Sequence, residues 1–297
     1  SWPGIVVDKH CVGGLPGNRT TPIVVSIIAA AGLTIPKTSS RAITSPAGTA
    51  DTVETFTNAN LDLIAIRKVV EQEGGCMAWG GAVKLSPADD ILISIERSLD
   101  LDSPAQLIAS VLSKKAAAGS THVVIDIPVG KSAKVRTMEE AVHVKDLMMS
   151  VAAAINMTLD VVFTDGQQPV GRGIGPALEA LDIIAVLKGN KEAPIDLRDR
   201  SLKLAGRLLE MTGKTSSNGG YQMAFSILEK GEAWKKFQAI CQAQGRFTEP
   251  TVGQFRYEVI SNKDGVVANI DNRKLAKLAK LCGAPHAPGA GILFMSP

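Results

Sequence analysis

A chain of 297 residues with 45% hydrophobic composition can bury a large core, which excludes intrinsic disorder. Its 32 basic and 29 acidic residues balance to +3 and lie scattered along the sequence, so no basic stripe marks a nucleic-acid partner. Cys11, Cys76, Cys241 and Cys282 form no C-x-x-C pair, which argues against a zinc knuckle or disulfide framework and fits a reducing cytosol, and no apolar run approaches the roughly 20 residues that span a bilayer.

Short β-branched runs alternate with longer stretches of helical period, the pattern of strands joined by crossover helices. The expected class is α/β, a mostly parallel sheet with helices on both faces. GIVVD at 4 to 8 reads as the first strand and residues 19 to 32 as a buried helix ended by Gly32. A short strand, LTIP, follows, then an amphipathic helix over 61 to 73 with Leu61, Ile64, Ala65, Val69 and Val70 at helical spacing. GGCMAWGGA reads as a strand between glycines that can act as a hinge. The helix over 103 to 119 has Asp102 or Ser103 as its cap, Pro104 in its first turn and Gly119 at its end. THVVIDI (121 to 127) and LDVVFT (159 to 164) read as core strands on either side of a helix over about 136 to 156. GRGIGP (171 to 176) opens the next helix, and from about 197 to 245 the chain is mainly helical. YEVISNKDGVVANI alternates around Asp264-Gly265 as a hairpin would, and Asp271 caps a last helix through Leu281.

DKHCVGGLPGNRTT, residues 8 to 21, lies directly after a strand and directly before a helix. Open α/β sheets bind ligands at the carboxyl ends of their strands, and the amides of a helix N-terminus suit an anion, so phosphate is expected here. Gly13, Gly14 and Gly17 let the backbone approach a ligand, while Lys9, Thr20 and Thr21 add charge and hydroxyl donors. The loop matches neither the Walker pattern nor G-x-G-x-x-G, and a plain tight turn is the bland alternative. TSSRAITSPAGTAD (38 to 51) repeats the recipe with hydroxyls, a glycine and a following helix. Two such loops after neighbouring strands are expected to share one anion pocket.

DKHCVGG, followed by SSRAITSPAGTADTVE and DSPAQLIASVLSKKAAAG, resembles the pyrimidine-nucleoside phosphorylases, thymidine phosphorylase above all. The spelling HCVGGLPGNRTT is closer to the branch that includes AMP phosphorylases, and the similarity extends through DGQQPVGRGIGPALEA and ILEKGEAWKKFQAI. The resemblance implies a nucleoside phosphorylase/phosphoribosyltransferase-like fold in which phosphate is held by Lys9, Cys11, Thr21, Ser39 and Thr49. Cys11 departs from the serine usual there, and a thiol is the poorer hydrogen-bond donor. For the nucleobase the resemblance points to His10, Ser110 and Lys114. Ser110 and Lys114 are four apart on one helix and so share a face. The family's base-reading arginine has only Arg97 as an approximate substitute, in a region one residue shorter.

The implied reaction is phosphorolysis of the N-glycosidic bond of a pyrimidine nucleoside, giving free base and pentose 1-phosphate. Lys9 would orient the phosphate, while His10 and Lys114 would hydrogen-bond or protonate the base carbonyl. No metal or cofactor is required; inorganic phosphate is a co-substrate. The alternative substrate is AMP or another nucleoside monophosphate, giving ribose 1,5-bisphosphate, with Arg19 as the candidate grip on the 5′-phosphate. Lys115, Arg172, His122, His143 and His286 have bland readings as helix-end, turn and structural residues. Rival functions are an anthranilate-type phosphoribosyltransferase, whose pyrophosphate loop normally lacks the Lys-His pair, and a non-catalytic nucleotide-binding module. The family's upstream helices and sequence beyond the C-terminal region are missing, so a fragment is expected, weakly active or inactive alone. Residues 1–80 and 120–297 would form the α/β phosphate-binding domain, and 81–119 a hinge plus part of an α domain, a small helical insertion. The full-length protein is expected to be a cytoplasmic homo-oligomer with nucleoside or nucleotide and phosphate as partners, and neither nucleic acid nor membrane.

Overall fold

The computed structural model describes residues 2–13, 15–43, 45–83 and 104–295. Five strands run parallel: β1 (Val7–Cys11), β2 (Ile35–Ser39), β3 (Gly75–Trp79), β4 (His122–Val129) and β5 (Thr158–Asp165). β4 lies between β1 and β5, in register Val7↔His122 and His122↔Thr158. β2 pairs with β3 from Ile35↔Gly75. A parallel bridge, Val6↔Thr34, with Val7 N–H donating to Thr34 O at 2.9 Å, brings this pair to the other edge of β1. The order is thus β3-β2-β1-β4-β5. Connections leave β1 to one side and return to the other, which opens a crevice at the carboxyl ends beside it.

The crossovers are helical, as the alternating sequence pattern predicts. α1 (Thr20–Ala30) joins β1 to β2, and α2 (Thr49–Glu54) with α3 (Leu63–Glu73) joins β2 to β3. α4 (Gly80–Val83) follows β3, α5 (Pro104–Ala117) precedes β4, and α6 (Met138–Ala154) joins β4 to β5. Beyond β5 come β6 (Gly173–Ile174), α7 (Pro176–Leu187), α8 (Ile195–Met211), α9 (Gly220–Glu229), α10 (Glu232–Ala243), α11 (Asn272–Leu281) and β7 (Ile292–Leu293). β6 and β7 pair antiparallel, which ties the end of the chain to the GRGIGP turn.

The alternation along β4 explains how both faces of the sheet are covered. Val124 joins a core with Ile23 and Ile27 of α1 and Leu204 and Leu208 of α8. Val123, Ile125 and Ile127 instead join Val111 and Leu112 of α5 and Met148 of α6. α1 is buried from Thr20 to Ala29, so its sequence is apolar on every side rather than along one stripe. Each of its isoleucines at 0% exposure, Ile23, Ile27 and Ile28, contributes about 1.5–3 kcal/mol by burial. α3 has the single stripe of a surface helix: Ile66, Val69 and Val70 pack on Cys76 and Ala78 of β3. Asp62 caps it by accepting from the Ala65 N–H at 2.8 Å, and Gly74 ends it at φ 77°.

One expected element does not form. Residues 257–270, read as a hairpin about Asp264-Gly265, contain no strand. Tyr257, Val259 and Val266 are 92%, 87% and 96% exposed, so the alternating pattern finds neither a sheet edge nor a core among the described residues. The expected helix after Asp271 does form, with the Asp271 carboxylate accepting from the N–H groups of Arg273 and Lys274 at 3.0 Å each. Of the span 81–119, residues 84–103 lie outside the described residues.

Candidate functional site

The carboxyl ends of β1, β2 and β3 open on one cleft of about 1050 Å³. β1 and its following loop contribute Lys9, His10, Cys11, Asn18, Arg19 and Thr21. β2 and its loop contribute Lys37, Ser39, Arg41 and Thr49, and β3 contributes Trp79. Lys114 and Lys115 enter from α5, and Arg273, Lys277 and Lys280 from α11. Lys9 and Thr49, which a two-loop anion pocket needs on one surface, are therefore on one surface.

The glycines that shape these loops do so by close approach. Gly17 sits at φ 73°, and a Cβ there would lie 2.0 Å from the Val170 carbonyl oxygen. At Gly48 a Cβ would lie 2.3 Å from the backbone nitrogen of Ala42. Both glycines serve the packing of backbone on backbone. Gly13 meets nothing within 4 Å and leaves the backbone open, while Gly14 lies outside the described residues.

Lys9 is 2% exposed and donates from Nζ to Thr20 Oγ1 at 2.5 Å and Thr21 Oγ1 at 3.3 Å. Burial lowers its pKa, against the attraction of Cys11 and Asp126. One ammonium thus links the end of β1 to the first turn of α1. His10 is partly exposed in the cleft. Burial, then the charges of Lys115, Lys37, Lys9 and Lys114, hold it well below the ordinary imidazole pKa. Near pH 7 it is therefore a neutral donor and acceptor, not a cationic acid poised to titrate.

Cys11 is held by a buried polar network. Asn18 Nδ2 donates to Cys11 Sγ at 3.0 Å and to Asp126 Oδ2 at 3.3 Å, and Thr164 Oγ1 donates to Asp126 Oδ1 at 2.5 Å. Burial and the neighbouring Asp126 carboxylate push the thiol well above the usual cysteine range, so it stays protonated. Ser39 and Thr49 are partly exposed along the cleft. Lys114 lines it too, whereas Ser110, one turn earlier on α5, is partly buried and does not. Arg97 lies outside the described residues.

Arg19 is built into the protein rather than aimed at a ligand. Its Nη1 donates to Asn18 O at 3.3 Å and its Nη2 to Ala47 O. Its Nε lies 2.5 Å from Glu179 Oε2, although that N–H is not aligned into a hydrogen bond. Glu179 has 0% side-chain exposure, and burial raises its pKa to about 7 against the attraction of Arg19.

Several site groups escape a reading of the sequence. Asp8 lies between Lys115 Nζ at 2.7 Å and Lys37 Nζ at 3.2 Å, one from α5 and one from β2. Burial opposes ionisation of Asp8, yet the two ammonium groups outweigh it and hold the carboxyl below its usual range. Burial also lowers the Lys37 pKa, with Asp8 opposing. Lys115, read as a helix-end residue, is thus a buried partner of β1, 2% exposed. The Arg41 guanidinium stacks over Trp79 at 4.4 Å from the ring centroid. Asn272 fixes the start of α11 by donating to Ser132 Oγ at 3.0 Å and Gly166 O at 3.3 Å. The signal for α11 is present in the cations at 273, 277 and 280, but nothing local says what they face. Among the described residues no cluster of His, Cys, Asp or Glu is placed to hold a metal ion, and no helix is long and apolar enough to cross a membrane.

An open parallel sheet with helices on both faces and a cationic cleft at its switch point defines an α/β protein whose cleft field favours anions. Residues 4–234 match the a/b domain of the glycosyl transferase family, and the chain belongs to that family. It is 60% identical over 288 residues to "Putative thymidine phosphorylase" of Parvibaculum lavamentivorans, covering 97% of this chain and 57% of that protein. The protein of the same name from Hahella chejuensis is 61% identical over 289 residues, again covering 97% and 57%. The chain therefore spans little more than half the length of these relatives. Among solved structures, anthranilate phosphoribosyltransferase from Thermus thermophilus superposes with a TM-score of 0.64 at 19% identity, over 80% of this chain and 78% of that one. The Saccharomyces cerevisiae enzyme in complex with PRPP and Mg gives 0.60 at 14% identity, over 80% and 73%. Those two likenesses concern the fold, and they agree with the α/β class read from the sequence.

Proposed function

We propose that the site performs phosphorolysis of the N-glycosidic bond of a pyrimidine nucleoside, releasing free base and pentose 1-phosphate. The observation that carries this reading is the convergence of Lys9, Thr21, Ser39 and Thr49, from two separate loops, on a single cleft. The names of the relatives at 60% and 61% identity point the same way.

Phosphate, seated by Lys9 and the loop hydroxyls, presents one oxygen to C1′ of the sugar. As the new C1′–O bond forms, the C1′–N bond breaks and its electron pair leaves with the base, which then takes up a proton. Two kinds of group help: cations and hydroxyls that fix the nucleophile, and donors that stabilise negative charge growing on the base. Lys114 supplies a charged donor for the base. His10, neutral, supplies a hydrogen bond. The full-length protein, given phosphate and a panel of nucleosides, is expected to release base and pentose 1-phosphate. Consumption of phosphoribosyl pyrophosphate with magnesium, without phosphate-dependent base release, would reverse the assignment to a phosphoribosyltransferase.

A second substrate reading rests on charge. Among the described residues, ten lysines and arginines line the cleft and no aspartate or glutamate does. Asp8 and Glu179 neutralise part of that charge from below, yet Arg273, Lys277 and Lys280 of α11 stand exposed beyond what one phosphate ion requires. They favour a substrate carrying its own phosphate, a nucleoside monophosphate, which would yield pentose 1,5-bisphosphate. Arg19, the grip expected from the sequence, lines the same cleft with its guanidinium against Glu179. Comparing kcat/KM for a nucleoside and its 5′-monophosphate, in wild type and in Lys277→Ala/Lys280→Ala, decides between the two. Selective loss for the monophosphate is expected on the nucleotide reading, and equal kinetics in both proteins contradicts it.

A further inference from the structure

We propose that Arg19 is a positioning residue that sets the spacing between the two anion loops. Arg19 ends the first loop at the N-cap position of α1, where its side chain makes no capping hydrogen bond. Its side chain crosses to the second loop, where Nη2 donates to the Ala47 carbonyl. Thr21 follows Arg19 by two residues and Thr49 follows Ala47 by two, so one guanidinium spans the gap between the hydroxyls that face the cleft.

The third anchor is Glu179 of α7. Beside its contact with Arg19 at 2.5 Å, its carboxylate accepts from Thr52 Oγ1 of α2 at 3.4 Å and from the Gly175 N–H at 3.3 Å. Glu179 thereby touches both the arginine of the first loop and the helix that follows the second. A planar guanidinium can face a carbonyl and a carboxylate in different directions at once, whereas a lysine ammonium on a flexible stem cannot hold the same three points. Its hydrogen bonds end on protein carbonyls and its Nε lies against a fully buried carboxyl group, so the protein itself fixes the guanidinium. The loops converge because this tie is made.

The kinetic part of the inference rests on the phosphorolytic reading; the binding part does not. In full-length protein, Arg19→Met is expected to weaken inorganic phosphate binding by calorimetry about tenfold or more, since misplacement on the ångström scale is costly. Backbone hydrogen exchange in residues 38–49 should quicken, and the phosphate KM should rise while the nucleoside KM stays near wild type. Arg19→Lys should fall between the two, keeping the charge but losing the fork. Unaltered phosphate affinity and unaltered exchange in Arg19→Met would overturn the proposal, as would an effect confined to the KM of a nucleoside monophosphate. Should Arg19→Met fail to fold, Glu179→Gln keeps the shape and removes the charge. It is expected to shift phosphate affinity the same way by less, and no shift there is equally fatal. Wild-type protein that binds phosphate but releases no base would refute the phosphorolytic reading alone, and the affinity and exchange measurements would still decide on Arg19.

Discussion

Lys9 is a cation held almost out of water, with two threonine hydroxyls as its hydrogen-bond partners. Methionine is close to its shape, so Lys9→Met removes the charge without opening a large void. The expected outcome is a folded protein by circular dichroism whose kcat/KM with phosphate drops about 10²-fold, the usual loss when one group stabilising developing charge is removed. His10 makes a different claim. Its folded pKa is depressed below the ordinary 6.5, so between the two values the unfolded chain binds more protons than the native one. The stability this contributes is fully present above pH 6.5 and is lost as pH falls through the folded pKa. Thermal unfolding from pH 7.5 down to pH 5 should therefore show a slope that His10→Asn flattens. His10→Asn should leave the shape of the pH–rate profile near 6.5 unchanged, because the imidazole is already neutral there.

The second loop depends on a backbone arrangement that any side chain at Gly48 disturbs. Asp51 Oδ2 accepts from both Gly48 N–H at 2.8 Å and Ala42 N–H at 2.6 Å, folding the loop onto the start of α2. A methyl group at position 48 would meet Ala42 N at 2.3 Å and the Arg41 carbonyl carbon at 2.4 Å, neither of which can turn aside. Gly48→Ala should cost about 1–3 kcal/mol in denaturant unfolding, the range for overpacking, and should raise the phosphate KM by displacing Thr49. Such elements are legible wherever the signal is local: the strand–loop–helix at 8–21, the cap Asp271, the glycine ends of helices. What stays hidden depends on partners far away in sequence. Lys115 meets Asp8 across 107 positions, and Arg19 meets Glu179 of α7, so their roles cannot be read from spacing. The hairpin reading of 257–270 fails for the converse reason, since alternation predicts a strand only where a sheet edge is available to pair with it.

Over the whole molecule, a formal charge of only +3 conceals a strong local asymmetry. Cations scattered from Lys9 to Lys280 are gathered by the fold into one concave wall, with no carboxylate on its lining among the described residues. Low-dielectric walls focus such a field, and it acts on anions well before contact. Inorganic phosphate feels it whichever substrate is used, so saturating phosphate isolates the other substrate's response. Under that condition the KM of a neutral nucleoside should stay nearly flat as ionic strength rises from about 0.01 to 0.5 M, where the screening length shrinks from about 30 Å to a few ångströms. The KM of a nucleoside monophosphate should climb steeply over the same range. Lys277→Ala/Lys280→Ala should flatten that climb, because those two exposed cations act through solvent, whereas Lys37 and Lys115 are buried against Asp8 and are screened little by salt. A monophosphate KM indifferent to salt in the wild type would mean that the α11 cations are too far from the bound substrate to act, and the second substrate reading would fall with them.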